Sequence, residues 1–241
     1  MKYKLQYKRY SERAILIEWP SEIEENILQN LLSFKKSILS SCNKPIIEVI
    51  PAYNSLLIYY VSTIEDFYSE VLMLKSLYSK GFDETRPESR LWKIPVCYTT
   101  SLAQDLKTFA ESKSLTVEEI IRLHTTPLYT TYFIGFLPGF LYLGGLDDQL
   151  HNARKMTPSL HVKKGAVAIG GNQTGIYPMS SPGGWHVIGM CPLDFFNPKI
   201  EDCCFISSGD KIQFISVEEK KYNDISASVL EGAYIPEFVC L

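Results

Sequence analysis

No stretch of the 241-residue chain offers the ~20 consecutive apolar residues of a membrane-spanning helix. Its opening, MKYKLQYKRY, alternates lysine with Tyr3, Leu5 and Tyr7 instead of building the apolar core of a signal peptide. Basic charge is not in excess either. The formal net charge is −3, and no arginine or lysine stripe is interleaved with aromatics, so nucleic acid is not an expected partner. The six cysteines (Cys42, Cys97, Cys191, Cys203, Cys204, Cys240) form no C-x-x-C unit, which speaks for a reduced, cytoplasmic protein without a zinc or dithiol centre. The four histidines (His124, His151, His161, His186) never fall in H-x-x-x-H spacing, and no metal site is expected. Gly170–Gly175 repeats the G-x-x-x-x-G half of a phosphate loop, but Ile176 and Tyr177 stand where lysine and serine or threonine are required. No G-x-S-x-G elbow accompanies a serine, so the catalytic residues stay unassigned.

What is present reads first as two domains. Strand patterns at the N-terminus and at AILIEW precede Ser21 and Glu24, whose spacing predicts a capping box and a helix start. Ile23, Ile27, Leu31, Phe34 and Ile38 then form one apolar face. IIEVI and SLLIYY follow as strands, and Ile64, Phe67, Val71, Leu74 and Tyr78 mark a second helix. The order β-β-α-β-β-α predicts an α+β N-terminal domain, split βαβ-like, with two helices on an antiparallel sheet. The polar stretch Phe82 to Arg90, broken by Pro87, is the linker candidate, giving domains 1–84 and 85–241. Beyond it, LWKIPVCY is a strand, and two short helices follow, the second capped by Thr116 with Glu119. Short runs such as YTTYFIGF, AVAIG, WHVIGM and KIQFISV, separated by Gly/Pro turns, predict a mainly-β barrel.

Four features are candidates for chemistry. The run GGNQTGIYPMSSPGGWHVIG (170–189) sets six glycines and two prolines around Gln173, Thr174, Tyr177 and Ser181, with Trp185 beyond, which fits either a ligand loop or tight barrel turns. His124 ends a helix, where the dipole favours a cation. Arg154 leads a basic group with Lys155, His161, Lys163 and Lys164 that suits a carboxylate, a phosphate or an acidic face, or a solvated surface. The aromatic loop FLPGFLYLGG carries Phe136, Phe140 and Tyr142 around Pro138 and Gly139, as a pocket wall or as barrel core.

Taken together, GFLPGFLYLGGL, the Arg154 neighbourhood, the 170–189 run and the late GDKIQF resemble the family that includes the 5-oxoprolinase component PxpB, the sporulation-kinase inhibitor KipI and the first subunit of allophanate hydrolase. ERAILIEW, IPAYNSLLIYY, IPVCY, Asp105-Leu106 and His124 fall in the family's order, so the resemblance covers essentially the whole chain. It implies an α+β domain followed by a cyclophilin-like β-barrel without prolyl isomerase chemistry. It also implies a complementary barrel subunit (PxpC-like) and a lactam-hydrolysing subunit (PxpA-like). ATP, used by the assembled complex, would convert the 5-oxoproline lactam oxygen into a leaving group on the way to glutamate. Alternative family roles are inhibition of a sensor histidine kinase, with Phe136, Phe140 and Tyr142 as a helix-binding patch, and carboxyl transfer of the urea carboxylase type. The chain departs from the family at Pro158-Ser159, Val162-Lys163 and Met190-Cys191, where members carry Pro-Arg, Val-Pro and Arg-Thr. Arg154 remains as the principal cation by motif position. On this reading the 170–189 run is a pocket rim with Gln173, Thr174 and Tyr177 as polar contacts, and Gly184→Val is expected to damage the fold.

Overall fold

The computed structural model describes residues 3–42, 44–81, 89–200 and 203–241. The chain falls into two compact units, Met1–Glu88 and Ser89–Leu241. Of the linker candidate, residues 82–88, with the 84/85 boundary, lie outside the described residues.

In the first unit β1 (Gln6–Ser11), β2 (Ala14–Glu18), α1 (Glu25–Ser41), β3 (Ile46–Pro51), β4 (Ser55–Tyr60) and α2 (Phe67–Lys80) follow the expected order. The sheet runs β1-β2-β4-β3 and every pairing is antiparallel. Since β4 lies antiparallel between β2 and β3, those two are parallel and joined by α1, which is a split βαβ unit. Alternate residues Ile15 and Ile17 of β2 and Leu56, Ile58 and Tyr60 of β4 pack with Ile27, Leu31, Phe34 and Ile38 of α1 in one core.

The predicted helix start at Ser21 is corrected: α1 begins at Glu25, and Glu24 occupies the N-cap position without a side-chain cap. The cause lies upstream. Trp19 N–H donates to Asn54 O (2.8 Å) and Glu22 N–H to Pro20 O (2.8 Å), so the backbone around Ser21 is turned before a helix can form. Ile23 therefore precedes the helix and is exposed.

The second unit contains β5 (Arg90–Val96), α3 (Leu106–Lys113), α4 (Val117–Thr125), β6 (Tyr129–Ile134), β7 (Leu141–Gly144), β8 (Ser159–Val162), β9 (Ala166–Gly170), β10 (Gln173–Ile176), β11 (Ser181–Gly183), β12 (His186–Met190), β13 (Lys211–Ser216), α5 (Glu219–Leu230) and β14 (Phe238–Cys240). Eight strands form a mixed sheet, β12-β9-β10-β7-β6-β13-β5-β14, in which β5 and β13 are parallel, and β8 and β11 form a separate ribbon. The capping box at α4 is present: Glu119 N–H donates to Thr116 Oγ1 (3.1 Å) and Thr116 N–H to Glu119 Oε2 (2.8 Å).

The strand ladder is open, with β12 and β14 at its edges, and so falls short of a closed barrel. β14 takes the free edge of β5 from Arg90 to Trp92. Beyond β5, one bridge returns to β12: Cys97 N–H donates to Met190 O (2.8 Å), and Met190 N–H to Cys97 O (2.9 Å). No helix among the described residues is long and apolar enough to cross a membrane.

Candidate functional site

The glycine-rich run is mostly sheet. Only Gly171 and Asn172 connect β9 to β10, and Gly171 has φ of 69°, as the first position of a type II′ hairpin requires. Gln173, Thr174, Gly175 and Ile176 pair with Gly170, Ile169, Ala168 and Val167. The segment that mimics half a phosphate loop therefore spends its backbone in a ladder. At Gly175 the lack of a side chain is a matter of space, because a Cβ there would lie 2.7 Å from Leu141 O and 3.1 Å from the rings of Phe140 and Trp185. Gly184 differs: a Cβ would find its nearest neighbour, Lys155 O, at 3.8 Å. The expected damage from Gly184→Val thus has no steric support at Cβ, whereas at Gly170, Gly175, Gly183 and Gly189 of the same run a Cβ would lie within 2.7 Å of a neighbouring atom.

These close approaches leave a cavity of about 260 Å³ between the aromatic loop and the run. Phe136, Phe140, Tyr142, Tyr177 and Trp185 line it, together with Arg154, Pro158, Pro182, Gly183 and Gly184. Phe140 is the centre of the aromatic packing. It meets Tyr177 edge-on (centroids 5.2 Å apart, 87°), Trp185 at 5.5 Å and 79°, and Phe136 at 5.5 Å and 90°. Phe136 adopts φ of 65°, an uncommon conformation for a bulky residue, while remaining 62 % exposed. The turn that imposes it is closed by Gly135 N–H to Phe140 O (3.1 Å) and Leu137 N–H to Gly135 O (2.8 Å). Such strain at a cavity mouth marks a constrained site.

Burial raises the phenol pKa values of Tyr142 and Tyr177, and the nearby Arg154 charge only partly offsets it. The Tyr177 hydroxyl also accepts a bond from the Trp185 backbone N–H. Both phenols are therefore protonated at neutral pH, hydroxyl groups on an otherwise apolar wall. Arg154 stands 5.8 Å from the Trp185 ring centroid in cation–π contact and is exposed. Among the described residues it forms no ion pair.

The loop carrying Arg154 is held from several sides. Asn152 and Gly171 exchange backbone bonds (2.9 and 2.7 Å), His186 Nε2 donates to Ala153 O (2.9 Å), and Lys155 N–H donates to Gly184 O (2.7 Å). Lys155 Nζ reaches Asp105 Oδ2 (2.6 Å) and Ser159 Oγ (3.2 Å), and the same Asp105 oxygen accepts from Val187 N–H (2.7 Å). The basic cluster is therefore not one surface. Lys155 is paired inward, Lys164 pairs with Asp194, and His161 and Lys163 are exposed.

His124 does not act as a cation on the helix dipole. It is fully buried, and loss of water pushes its pKa down to about 3. Thr174 Oγ1 donates to Ala168 O (3.1 Å), so the 2.9 Å contact from His124 Nε2 uses that nitrogen as donor. Nδ1 then accepts from Tyr98 OH at 2.7 Å, which fixes a neutral Nε2–H tautomer. The ring stacks on Phe214 of β13, 4.5 Å between centroids. His124 and Thr174 thus belong to the core of the second unit and not to the cavity.

The cavity brings together Phe136, Phe140, Tyr142, Arg154, Tyr177 and Trp185. Pro138 is exposed in the loop, Gln173 opens β10, and Ser181 opens β11 with its hydroxyl bonded to Pro182 O; none of these lines it. Of the three polar residues expected at the rim, Tyr177 lines the cavity and Gln173 and Thr174 do not. Phe140, 2 % exposed, cannot serve as part of a surface patch for a helix. Sequence reasoning missed Pro158, Pro182 and Gly183 as lining, and missed Asn152 and His186 as anchors. Their only local signal is that prolines flank the two segments. Among the described residues no group of three or more His, Cys, Asp or Glu is placed to hold a metal ion.

The carboxyltransferase domain, subdomain C and D, family model matches residues 5–206, a span that includes every residue of the cavity. The 5-oxoprolinase B subunit of Bacillus subtilis (strain 168) is 32% identical over 238 residues, covering 92% of this chain and 97% of that protein. The crystal structure of TTHA0988 superposes with a TM-score of 0.72 at 30% identity, covering 86% of this chain and 40% of that one, so this chain spans about two-fifths of its length. Kluyveromyces lactis urea carboxylase gives a TM-score of 0.82 over 100% of this chain and 24% of its own, at 18% identity, a likeness of fold alone. The family match covers most of the chain and extends through both units: the chain belongs to the carboxyltransferase-domain family, subdomain C and D.

Proposed function

We propose that the chain is the B subunit of a 5-oxoprolinase and that the cavity beneath Arg154 receives the substrate. The observation that carries this reading is the alignment with the 5-oxoprolinase B subunit of Bacillus subtilis over nearly the full length of both chains. The cavity suits a small cyclic acid. A ring packs against Phe140 and Trp185, Arg154 pairs with the carboxylate, and the protonated Tyr142 and Tyr177 phenols face the lactam oxygen. Arg154 is available for that role because no carboxylate among the described residues already holds it.

ATP is the co-substrate of the proposed complex, and this chain's glycine-rich hairpin does not fit a triphosphate: its backbone pairs within the sheet, and Ile176 and Tyr177 replace the required lysine and hydroxyl. The nucleotide site is assigned to the other subunits, a complementary barrel subunit and a lactam-hydrolysing one, acting together in the cytoplasm. The second unit is read as an incompletely closed cyclophilin-like barrel, in which the Cys97–Met190 bridge links the chain beyond β5 back to β12.

The test is to purify the chain with both sister subunits and measure ATP hydrolysis dependent on 5-oxoproline. Turnover that requires all three is expected, and its absence with all three present refutes the reading. A second reading, carboxyl transfer, draws on the fold shared with urea carboxylase. Labelled carboxyl transfer to or from a supplied biotin carrier would decide for it.

A further inference from the structure

Arg154 is the cation of the cavity, yet its own contacts do not fix it: it is exposed, and its guanidinium rests on a ring face. The side-chain ion-pair anchor of its loop comes from the next residue, which turns toward Asp105. Lys155 Nζ lies 2.6 Å from Asp105 Oδ2, with both side chains more than four-fifths buried (18% and 17% exposed), and it also reaches Ser159 Oγ at 3.2 Å. Asp105 is anchored in turn to β12, accepting from Val187 N–H at 2.7 Å and donating its own backbone N–H to Val187 O at 3.0 Å. Lys155 N–H closes the circuit on Gly184 O (2.7 Å), one residue before Trp185. Arg154 and the ring it covers are therefore tied to a common frame by this ion pair together with the backbone bonds of Asn152, Ala153 and Lys155.

We infer that Lys155 and Asp105 are positioning residues that set Arg154 over Trp185 and thereby set the affinity of the cavity for a carboxylate. Neither lines the cavity; Asp105 and Lys155 act only through the loop. A charged pair held by further hydrogen bonds is stronger than a neutral one, and an arginine displaced by an ångström loses its paired geometry with a carboxylate. The effect on affinity rests on the substrate site proposed above, whereas the placement of Arg154 does not.

The experiment uses two variants with different faults. Asp105→Asn keeps an oxygen for Val187 N–H and removes the charge that holds Lys155; Lys155→Met keeps the apolar stem and leaves Asp105 bonded to β12. In the full chain, the indole N–H cross-peak of Trp185, one of three tryptophans, reports the guanidinium over its ring. Both variants are expected to move that cross-peak toward its position in Arg154→Ala, and Lys155→Arg is expected to restore it. In the assembled complex both should raise KM for 5-oxoproline about tenfold with kcat within about twofold, and Lys155→Arg should recover most of that loss.

A purely structural pair would instead lower the thermal midpoint and the folded fraction, leaving KM and the cross-peak of the folded protein unchanged. A Trp185 cross-peak that stays in place in both folded variants overturns the proposal whatever the complex does. A cross-peak that moves while KM does not shows that the pair positions Arg154 but overturns the assignment of the cavity to the substrate. Should Asp105→Asn fail to fold, Lys155→Met decides alone, since it breaks no bond of Asp105 to β12.

Discussion

Replacing His124 with glutamine converts a buried imidazole into a probe of how the second unit responds to acid. In the folded chain the ring is neutral, donates from Nε2 to Thr174 and accepts at Nδ1 from Tyr98, with its pKa held down to about 3 by burial. In the unfolded chain the same ring takes a proton near pH 6.5. Above that pH neither state binds the proton, and the site contributes its full stability. As the pH falls through 6.5 the unfolded state gains a proton that the folded state refuses, so stability is lost at up to about 1.4 kcal/mol per pH unit until about pH 3. By pH 5 the loss is about 2 kcal/mol, and its ceiling is ~5 kcal/mol, comparable to the whole stability of a small domain.

Glutamine keeps a donor for Thr174 and an acceptor for Tyr98 but does not titrate. It should cost some stability at pH 8 and abolish this acid slope. Urea unfolding at pH 8, 6.5 and 5 gives the comparison, and amide exchange in β6 and β13 restricts it to the unit that holds His124. The difference between wild type and variant should shrink by about 2 kcal/mol from pH 8 to pH 5. Parallel pH profiles would refute both the neutral tautomer and the desolvation argument, as would an imidazole nitrogen shift showing a charged ring at pH 6 in the folded protein.

Gly175→Ala should lower stability by about 1–3 kcal/mol because its methyl would crowd Leu141 O at 2.7 Å, whereas Gly184→Ala should stay within about 0.5 kcal/mol; thermal denaturation of the pair checks the contrast. Asp210 accepts from Arg90 N–H (3.0 Å), Arg90 Nη2 (3.1 Å), Trp92 Nε1 (2.9 Å) and Ser207 N–H (3.0 Å). Asp210→Ala strips four donors of one nearly buried partner and should cost about 3–5 kcal/mol, read from the urea midpoint. Arg154→Ala, at an exposed position, should leave the thermal midpoint unchanged while raising KM for 5-oxoproline in the assembled complex.

The helical stripe of α1 was legible because Ile27, Leu31, Phe34 and Ile38 recur at three and four residues and face one core. The two capping boxes show where such reading stops. Ser21/Glu24 and Thr116/Glu119 share the same spacing, yet only the second closes. The difference is tertiary: Trp19 is bonded to Asn54 and, through its indole, to Asn30, so the chain enters α1 from a turn already fixed by distant residues. Other elements leave little trace. α5 buries only Ile225 fully, β14 has three exposed residues, and β10 and β11 read as QTGI and SPG, without alternation.

Burial is what separates the candidate residues at the cavity from those in the core. His124 and Arg154 each looked like a cation with a task, one by its place at a helix end and the other by its neighbours in sequence. Strand β13 then covers His124 with Phe214, and the loss of water that follows removes its charge. Arg154 stays exposed and outside any ion pair among the described residues, while the residue after it turns inward and pairs with Asp105. A lysine that satisfies the buried acid thus leaves an arginine unspent at the cavity mouth. That division of labour between adjacent residues cannot be read from their order in the chain, because it depends on Asp105, fifty positions away, being delivered to the loop by the start of α3.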